Sequence, residues 1–363
     1  MLFEPVSISG LTAKNRIVRS ATYEKRADED GFATEELINM YEELARGGVG
    51  LIVTGVALVH PSGRGMPKML SVHSDRYIDK LSELTGRVHA AGGVIALQLL
   101  HGGRQCPPLY IGGEAPMAPS EVPDTSTGIT PRAMRDEEIW MIIEAFGEAA
   151  RRGLAAGFDA VQIHAAHGYL VSSFLSPYTN RRDDYWGGDE ERRFHFVEEA
   201  YKAMRAGAGK SFPLMIKMNG DDLLPGGITP GESMRAARRL EDMGIDAIEI
   251  SGGMRESAIK TIRPGILKPQ DEAYFRDIGA LFKKNVSVPV IVTGGMRTRK
   301  VMEGVLKRGE ADLAGMSRPL IRQPDLPKLF KQGREKADCI SCNKCANFLK
   351  LDTVRCVALE EGA

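Results

Sequence analysis

The chain has 363 residues, of which 43% are hydrophobic, and this length and composition suit one large α/β domain with an extensive core. The 48 basic and 48 acidic side chains give a formal net charge of zero, so no overall field attracts nucleic acid or anionic lipid. The first residues lack the pattern of a signal peptide, and no stretch approaches the ~20 apolar residues of a membrane span. We therefore expect a soluble, cytoplasmic protein that binds neither nucleic acid nor membrane.

Eight short runs rich in valine, isoleucine and leucine recur along the chain, each bounded by Gly, Asp or Pro. Such runs are typical of strands that are buried on both faces of a parallel sheet. They cover residues 15–21, 49–59, 94–100, 159–165, 213–219, 246–251, 288–294 and 311–317. Amphipathic stretches that end at glycine, including residues 34–48 and 229–244, lie between most of these runs and predict helices.

The alternation of strands with helices predicts a (β/α)8 TIM barrel over residues 1–330. A doubly wound sheet is the alternative fold, but no predicted strand leads into a GxGxxG turn. Residues 102–135 form a long connection rich in proline and glycine, which we expect to cover the active-site face. Residues 331–363 follow the last barrel element and form a short cysteine-rich C-terminal extension.

Polar residues and glycines stand at the predicted carboxyl ends of the strands, where such barrels carry their active sites. They are Gln98, His164, His167, Tyr169, Lys217, Ser251, Gly294, Gly295 and Arg318. Gly294 and Gly295 follow the seventh strand and Arg318 follows the eighth, positions from which backbone N–H groups and a guanidinium bind phosphate. Lys217 lies within an apolar run and points into the barrel mouth, either as a Schiff-base nucleophile or as the countercharge of an anionic cofactor ring.

The stretch HAAHGYL, residues 164–170, places two histidines and a tyrosine directly after the fourth strand. On a helix, His164 and His167 would share a face as zinc ligands do, but no third ligand stands at metal-binding spacing nearby. Two neutral imidazoles can instead donate hydrogen bonds to one oxygen atom and stabilise the negative charge that develops on it. Tyr169, with an ordinary pKa of about 10, is a suitable proton donor to a carbanion.

Two stretches of the chain resemble the old yellow enzyme family of FMN-dependent ene-reductases. The longer is HAAHGYLVSSFLSPYTNRRDDYWGGDEERRFHF, residues 164–196, which is similar to the family pattern H-x-x-[HN]-G-Y-L, F-L-S-P and N-x-R-x-D-x-Y-G-G, with Trp186 where tyrosine is usual. The shorter is LQLLHGGR, residues 97–104, which is similar to Q-L-x-H-x-G-R. The resemblance covers residues 1–330 and implies a TIM barrel that uses FMN and NAD(P)H to reduce activated alkenes.

The resemblance implies a role for each matching position. His164 and His167 would bind the carbonyl oxygen of an electron-poor alkene. Tyr169 would protonate the α-carbon, while reduced FMN delivers hydride to the β-carbon. The residues that would contact FMN are Ser20, Ala21, Thr22, Val56, Gln98, Lys217, Gly294, Gly295, Ser317 and Arg318.

Three positions depart from the family pattern. Lys217 stands where many relatives have arginine, so a countercharge near flavin N1 is kept but the planar fork of a guanidinium is lost. Tyr23 stands where relatives often have Thr or Cys near flavin O4, and Ser317 replaces a usual glycine beside the phosphate arginine. Of the three, the change at Tyr23 bears on the flavin potential.

Four of the five cysteines lie within the last 25 residues, in the pattern Cys339-x2-Cys342-x2-Cys345-x10-Cys356. The fifth, Cys106, stands alone and is expected to be structural. The cluster resembles the iron–sulfur segment of longer relatives, dienoyl-CoA reductase and trimethylamine dehydrogenase, and four thiolates suit either a [4Fe–4S] cluster or a structural zinc ion. A cluster would need an external electron-transfer protein, whereas without one NAD(P)H would reduce FMN directly.

Three functions are compatible with these features. The first is an FMN-dependent ene-reductase that acts on enones, enoates, or enoyl or dienoyl thioesters. The second is an electron-transfer subunit of a flavin and iron–sulfur complex, and the third is a lyase that uses Lys217 as a Schiff-base nucleophile. By resemblance to the family, we also expect a homo-oligomer.

Overall fold

The structure is a computed structural model that describes residues 1–362. Its main feature is a closed barrel of eight parallel strands surrounded by helices. The strands of the barrel and of the segments around it, numbered along the chain, are β1 (Val6–Ile8), β2 (Leu11–Ala13), β3 (Ile17–Arg19), β4 (Leu51–Leu58), β5 (Leu70–Ser71), β6 (Ile95–Leu100), β7 (Met117–Ala118), β8 (Arg132–Ala133), β9 (Ala160–Ala165), β10 (Leu214–Asn219), β11 (Ala247–Ser251), β12 (Val290–Val292) and β13 (Leu313–Met316). The helices are α1 (Glu35–Arg46), α2 (Ile78–Ala90), α3 (Asp136–Ala155), α4 (Leu170–Leu175), α5 (Glu190–Ala208), α6 (Pro230–Asp242), α7 (Arg276–Lys283), α8 (Arg299–Lys307), α9 (Arg318–Arg322), α10 (Leu326–Lys331) and α11 (Val357–Glu360).

The barrel closes because its first strand pairs with both its second and its last strand. β3 runs parallel to β4 on one side and to β13 on the other, and the order around the barrel is β3, β13, β12, β11, β10, β9, β6, β4. These eight strands coincide with the eight predicted runs, and all of their residues are buried. The prediction of a (β/α)8 barrel is therefore confirmed, and the alternative of a doubly wound open sheet is wrong.

The N-terminal hairpin fills one end of the barrel. β1 and β2 pair in antiparallel fashion. Ile8, Leu11 and Ala13 of this hairpin pack in one buried cluster with Val18 and Leu51, which lie in β3 and β4. Because apolar side chains occupy this end, a ligand has to approach from the opposite end, where the carboxyl ends of the parallel strands meet.

Local signals explain where the predicted helices begin. α1 follows Thr34, whose side chain accepts a hydrogen bond from a backbone N–H of the first turn. α6 follows Thr229, which forms a capping box with Glu232. The predicted helices at residues 34–48 and 229–244 are confirmed, since the structure shortens them only by their caps. None of the helices that the structure describes is long and apolar enough to cross a membrane.

The long connection of residues 102–135 lies over the mouth of the barrel. It contains β7 and β8, which pair with each other in parallel. Its Gln105 and Ser126 line the cavity at the carboxyl ends of the barrel strands. The prediction that this connection covers the active-site face is therefore confirmed.

A buried polar cluster joins β3, β4 and α1 beside the mouth. Glu24 Oε1 accepts hydrogen bonds from Arg19 Nη2 at 3.0 Å and from the Gly55 N–H at 2.6 Å. The hydroxyl of Tyr41 donates a third hydrogen bond to the same oxygen. The side chains of Arg19 and Glu24 are only 5% and 8% exposed. Loss of either charge would leave the other buried without its partner.

We predict that Glu24→Gln lowers the free energy of unfolding by about 3 kcal/mol, because Arg19 then keeps a buried charge without a carboxylate. Urea unfolding followed by circular dichroism measures this change. The control is Glu83→Gln, which removes an exposed ion pair with Lys80 and should change the free energy of unfolding by less than about 0.5 kcal/mol. Similar effects of the two substitutions would contradict the prediction.

Candidate active site

A cavity of about 520 Å³ lies at the carboxyl ends of the barrel strands. Its size is typical of a pocket for a cofactor or small ligand. All residues that the sequence predicted for flavin or substrate binding line it, and they come from the ends of seven barrel strands. They are Ser20, Ala21, Thr22, Val56, Gln98, His164, His167, Tyr169, Lys217, Gly294, Gly295, Ser317 and Arg318.

The two predicted histidines and the tyrosine lie side by side. The ring centroids of His164 and His167 are 5.1 Å apart, and those of His164 and Tyr169 are 5.0 Å apart. The backbone of His167 has a φ of 63°, a left-handed conformation that turns the chain sharply after β9. The Asn219 side chain accepts a hydrogen bond from the His167 N–H at 3.1 Å, and the Ser251 hydroxyl lies 2.7 Å from Nε2 of His167. The neighbouring strands β10 and β11 therefore hold this turn.

Both imidazoles are neutral at physiological pH. Burial and the nearby Lys217 ammonium lower the pKa of His167 to about 3. Burial, His167 and Lys217 together hold the pKa of His164 well below its ordinary value. Nδ1 of His164 accepts a hydrogen bond from the Ala166 N–H at 3.2 Å, so the proton of this neutral ring is on Nε2. Nε2 of His164 is therefore a hydrogen-bond donor.

Tyr169 keeps its phenolic proton at neutral pH. Burial raises the pKa of Tyr169 above its ordinary value, and the positive, hydrogen-bonded guanidinium of Arg255 lowers it in part. The phenol is thus an acid beside a cation that would stabilise the phenolate left after proton transfer. Arg255 carried no signal in the sequence, because the irregular segment after β11 matches no motif. Cys106 is fully buried, and burial raises the pKa of its thiol to about 12, in agreement with a structural role.

Lys217 forms a buried ion pair that the sequence did not predict. Its Nζ lies 3.0 Å from Glu249 Oε1 and 2.9 Å from the Ser20 hydroxyl. The side chains of Lys217 and Glu249 are 6% and 0% exposed. Charges persist at such depth where each is paired and hydrogen-bonded. A lysine engaged in this way has no free lone pair for addition to a carbonyl, so the geometry disfavours the Schiff-base alternative.

Glu249 continues this pair into a network across four adjacent strands. Its Oε2 accepts a hydrogen bond from Gln162 Nε2 at 2.9 Å, and Gln162 Oε1 accepts one from Gln98 Nε2 at 2.6 Å. Lys217 and Gln98, both predicted to contact flavin, are therefore linked through two buried residues. The signal for these two was a polar residue flanked on both sides by apolar residues, as in the AIEI of DAIEIS and the AVQI of DAVQIHA.

The segments after β12 and β13 have the features from which the sequence predicted a phosphate site, namely two glycines and an arginine. Gly294 and Gly295 have φ values of 112° and 73°, in the region that favours glycine. A Cβ atom at Gly294 would lie 2.8 Å from the Tyr274 ring, so the position also requires a close approach. Arg318 begins α9 and lines the cavity, and its Nη1 donates to the Arg263 carbonyl at 2.9 Å.

The charge of the lining fits an anionic cofactor. Five cationic side chains line the cavity, and these are Lys217, Arg255, Lys260, Arg297 and Arg318. No Asp or Glu of the described part of the chain lines it. FMN combines an electron-accepting ring with a phosphate, and the cavity offers a polar network and a glycine and arginine turn in separate parts of its wall. The residues present therefore fit FMN.

The remainder of the stretch of residues 164–196 builds the scaffold of the site. Asn180 Nδ2 donates to the carbonyls of Phe174 and Trp186 at 2.8 and 2.7 Å. Trp186 is almost fully buried, and its indole N–H donates to Asp136 at 2.6 Å. Tryptophan in place of the usual tyrosine thus has a hydrogen-bond partner for its indole N–H, and the loop that follows α4 is held in place.

The C-terminal cysteines face a second, small cavity. This cavity is lined by Cys339, Cys342, Cys345 and Cys356, and Arg318 also contributes to its wall. Cys345 lines the main cavity as well, and all of these thiols are free. Within the described residues, no three His, Cys, Asp or Glu side chains lie close enough together to hold a metal ion. Four thiols around one cavity fit a [4Fe–4S] cluster or zinc in donor type, and the ligand set itself stays a prediction.

A closed parallel barrel, a cavity without lining carboxylates, and glycines and an arginine after the last two strands are features of the class of (β/α)8 barrels that bind a phosphorylated cofactor. The sequence profile of the NADH:flavin oxidoreductase / NADH oxidase family matches residues 1–337. The chain therefore belongs to this family, and the resemblance to old yellow enzymes is confirmed. Family membership and the names of the relatives support FMN as the cofactor and NAD(P)H as the reductant.

Similar proteins include both longer and equally long chains. The NADH oxidase of Thermoanaerobacter brockii is 36% identical over 345 residues, which are 94% of this chain and 52% of that protein. The NADPH dehydrogenase of Geobacillus thermodenitrificans is 36% identical over 328 residues, which are 90% of this chain and 92% of that protein. The chain thus spans about half the length of the first relative and almost the full length of the second.

Two solved structures share the fold over nearly the whole chain. A 2-naphthoyl-CoA reductase in complex with 2-naphthoyl-CoA has a TM-score of 0.90 and 28% identity, covering 97% of this chain and 56% of that one. An old yellow enzyme homologue from Zymomonas mobilis has a TM-score of 0.78 and 28% identity, covering 94% of this chain and 95% of that one. Both likenesses are consistent with the family assignment.

The low pKa of His167 predicts a pH dependence of stability. Below about pH 6.5 the unfolded chain binds a proton at this histidine, whereas the folded protein does not until about pH 3. Stability is therefore lost as the pH falls through this window. We predict that His167→Gln makes the slope of unfolding free energy against pH shallower by about 1.4 kcal/mol per pH unit between about pH 5.5 and pH 4. Urea unfolding at several pH values measures the slope, and equal slopes for the two proteins would contradict the prediction.

Proposed function

We propose that the protein is an FMN-dependent oxidoreductase that reduces carbon–carbon double bonds conjugated to a carbonyl group. The proposal is carried by the group of His164, His167 and Tyr169, which puts two neutral imidazoles and one acid in a cavity whose other walls suit FMN. When bound and reduced, FMN supplies hydride for the β-carbon. The substrate is a small activated alkene, namely an enone, an enoate, or an enoyl or dienoyl thioester.

The two histidines would bind the carbonyl oxygen of the substrate. Nε2 of His164 carries the proton of a neutral ring and can donate it in a hydrogen bond. His167 lies beside it in a turn that Asn219 and Ser251 hold in place. Hydrogen bonds to this oxygen become stronger as negative charge grows on it, so the enolate-like state is stabilised more than the substrate.

Tyr169 would complete the reduction at the α-carbon. Addition of hydride to the β-carbon moves the electron pair of the double bond towards the α-carbon and the carbonyl oxygen. The α-carbon then takes the phenolic proton of Tyr169, and Arg255 stabilises the phenolate until solvent returns a proton. Two electrons and two protons are thereby balanced, one proton arriving with the hydride.

Other residues of the cavity would hold the cofactor. Gln98 and Lys217 present an amide and an ammonium group, and the network through Glu249 fixes both. The backbone turn at Gly294 and the guanidinium of Arg318 would bind the phosphate. These assignments give each of the two ends of FMN a cationic partner.

Thioester substrates have support of their own. Arg255 and Lys260 are exposed cations in the cavity wall, and they suit a substrate with negative charge remote from its alkene. The structural neighbour with a TM-score of 0.90 is a reductase in complex with 2-naphthoyl-CoA, which is a thioester of this kind. We therefore place acyl-CoA thioesters among the proposed substrates.

A second candidate function is electron transfer within a larger flavin and iron–sulfur complex. The observation that favours it is Cys345, which lines both the main cavity and the cavity of the four cysteines. A cluster there would lie beside the flavin and could receive electrons from an external protein. From the sequence, we also propose an external electron-transfer protein as a partner, a homo-oligomeric state and a cytoplasmic location.

The first proposal is tested by Tyr169→Phe, studied by anaerobic stopped-flow absorbance of the flavin. We expect reoxidation of the reduced protein by 2-cyclohexenone to slow by about 100-fold, because the α-carbon loses its acid. Reduction of the flavin by NADPH should proceed at the wild-type rate. Loss of the proton donor alone would slow only the reoxidation by the enone. Loss of the fold would slow the reduction by NADPH as well.

Tyr185→Phe is the matched control for this experiment. Tyr185 is 49% exposed, stacks on His195 and lies outside the cavity lining. Both half-reactions of this variant should keep their wild-type rates. Enone-dependent reoxidation that is equally fast in Tyr169→Phe and in wild-type protein would contradict the role assigned to Tyr169.

A further inference from the structure

The C-terminal segment reaches the phosphate end of the cavity through the side chain of Asn343. Its Oδ1 accepts a hydrogen bond from Nη1 of Arg318, and its Nδ2 donates to the Ile262 carbonyl at 3.0 Å. The Arg263 carbonyl accepts a second hydrogen bond from the same Nη1 at 2.9 Å. Asn343 therefore bridges the arginine that lines the cavity and the irregular segment that follows β11.

Both of these contacts use one nitrogen of the Arg318 guanidinium. Within residues 1–362, no other protein group forms a hydrogen bond with this guanidinium, so Nη2 and Nε remain for a ligand. These two nitrogens form an edge that can bind two oxygens of a phosphate at once. Because the Arg263 carbonyl and Asn343 Oδ1 both occupy Nη1, the edge of the guanidinium that can bind a phosphate is the one formed by Nη2 and Nε.

Asn343 lies in the loop from Cys339 to Cys345, here called the cysteine loop, and the conformation of this loop sets its position. Its φ and ψ are 62° and 8°, a left-handed conformation that asparagine adopts more readily than most residues. Two residues earlier, the Ser341 carbonyl accepts a hydrogen bond from the Gly265 N–H at 2.9 Å. Cys342 and Cys345 flank the asparagine, so the loop that carries the thiols also carries the contact with Arg318.

The segment is anchored to the barrel on both sides of this loop. Before it, the Ala337 N–H donates to the Arg297 carbonyl at 2.9 Å. After it, Lys25 Nζ donates to the carbonyls of Phe348 and Leu351 at 2.9 and 2.7 Å. Anchors on both sides restrict the loop, so the amide that holds the guanidinium is organised before a ligand binds.

We propose that Asn343 is a positioning residue for the phosphate group of FMN. It holds Nη1 of Arg318 so that Nη2 and Nε are available to the cavity, and in this way the cysteine loop sets the affinity for the phosphorylated flavin. The inference rests on the proposed FMN-dependent function, because it assigns the phosphate of that cofactor to Arg318.

The test compares FMN with riboflavin, which has the same ring but no phosphate. Flavin is removed from the full chain, and the apoprotein is titrated with each compound while flavin fluorescence is followed. Asn343→Gly keeps the left-handed backbone but removes the amide. We expect this variant to raise the Kd for FMN about tenfold, because the guanidinium loses one positioning hydrogen bond, and to leave the Kd for riboflavin unchanged.

Two further comparisons control for general effects on the loop. Asn347→Ala changes an exposed asparagine of the same segment, and both dissociation constants should keep their wild-type values. In an Arg318→Ala background, Asn343→Gly should cause no additional loss of FMN affinity, because both residues act through one contact. A role confined to folding of the loop would not produce this dependence on Arg318.

An unchanged Kd for FMN in Asn343→Gly would overturn the inference and leave the flavin proposal intact. Equal weakening of FMN and riboflavin would also overturn it, since a general loss of loop structure has that effect. Wild-type protein that binds neither flavin would contradict the proposed function itself, and the inference with it. The failures of the two proposals are therefore distinguishable.

Discussion

The pairing of β3 with both β4 and β13 is the constraint on which the rest of the structure depends. It closes eight parallel strands into a barrel, so all of their carboxyl ends meet at one rim. Side chains from distant parts of the sequence then share one cavity, while the hairpin of β1 and β2 fills the other end with apolar groups. Any residue that follows a barrel strand is thereby placed within reach of the same ligand.

The chemistry of the cavity follows from which charges are buried and which are compensated. Lys217 is matched by Glu249 within the barrel, whereas Arg318 keeps part of its guanidinium for a ligand. The same burial, helped by Lys217, keeps His164 and His167 neutral, so in the proposed mechanism they would act as hydrogen-bond donors to an oxygen and not as cations. A site of this kind would attract an anionic cofactor and keep neutral the two imidazoles that we propose polarise the substrate.

The sequence was sufficient to predict the barrel, because strands buried on both faces appear as continuous apolar runs, and His164 stood out as a polar residue at the end of one run. Glu249 also stood in such a run, but its pairing with Lys217 depends on the register in which β10 and β11 place these two residues side by side. The contact between Asn343 and Arg318 was beyond prediction, because the C-terminal segment is irregular and its course follows from packing on the barrel. The arrangement of the four thiols could not be predicted for the same reason, because it depends on the path of this C-terminal segment over the barrel.

The most direct test of the account is an anaerobic titration of the purified protein by absorbance spectroscopy. NADPH or NADH should bleach an oxidised-flavin spectrum, and addition of 2-cyclohexenone should restore it with the formation of one saturated ketone per flavin. This result requires that the protein binds flavin and that the reduced flavin passes its electrons to a conjugated alkene. A protein that shows no flavin spectrum, or a reduced flavin that the enone leaves unchanged, would contradict the account.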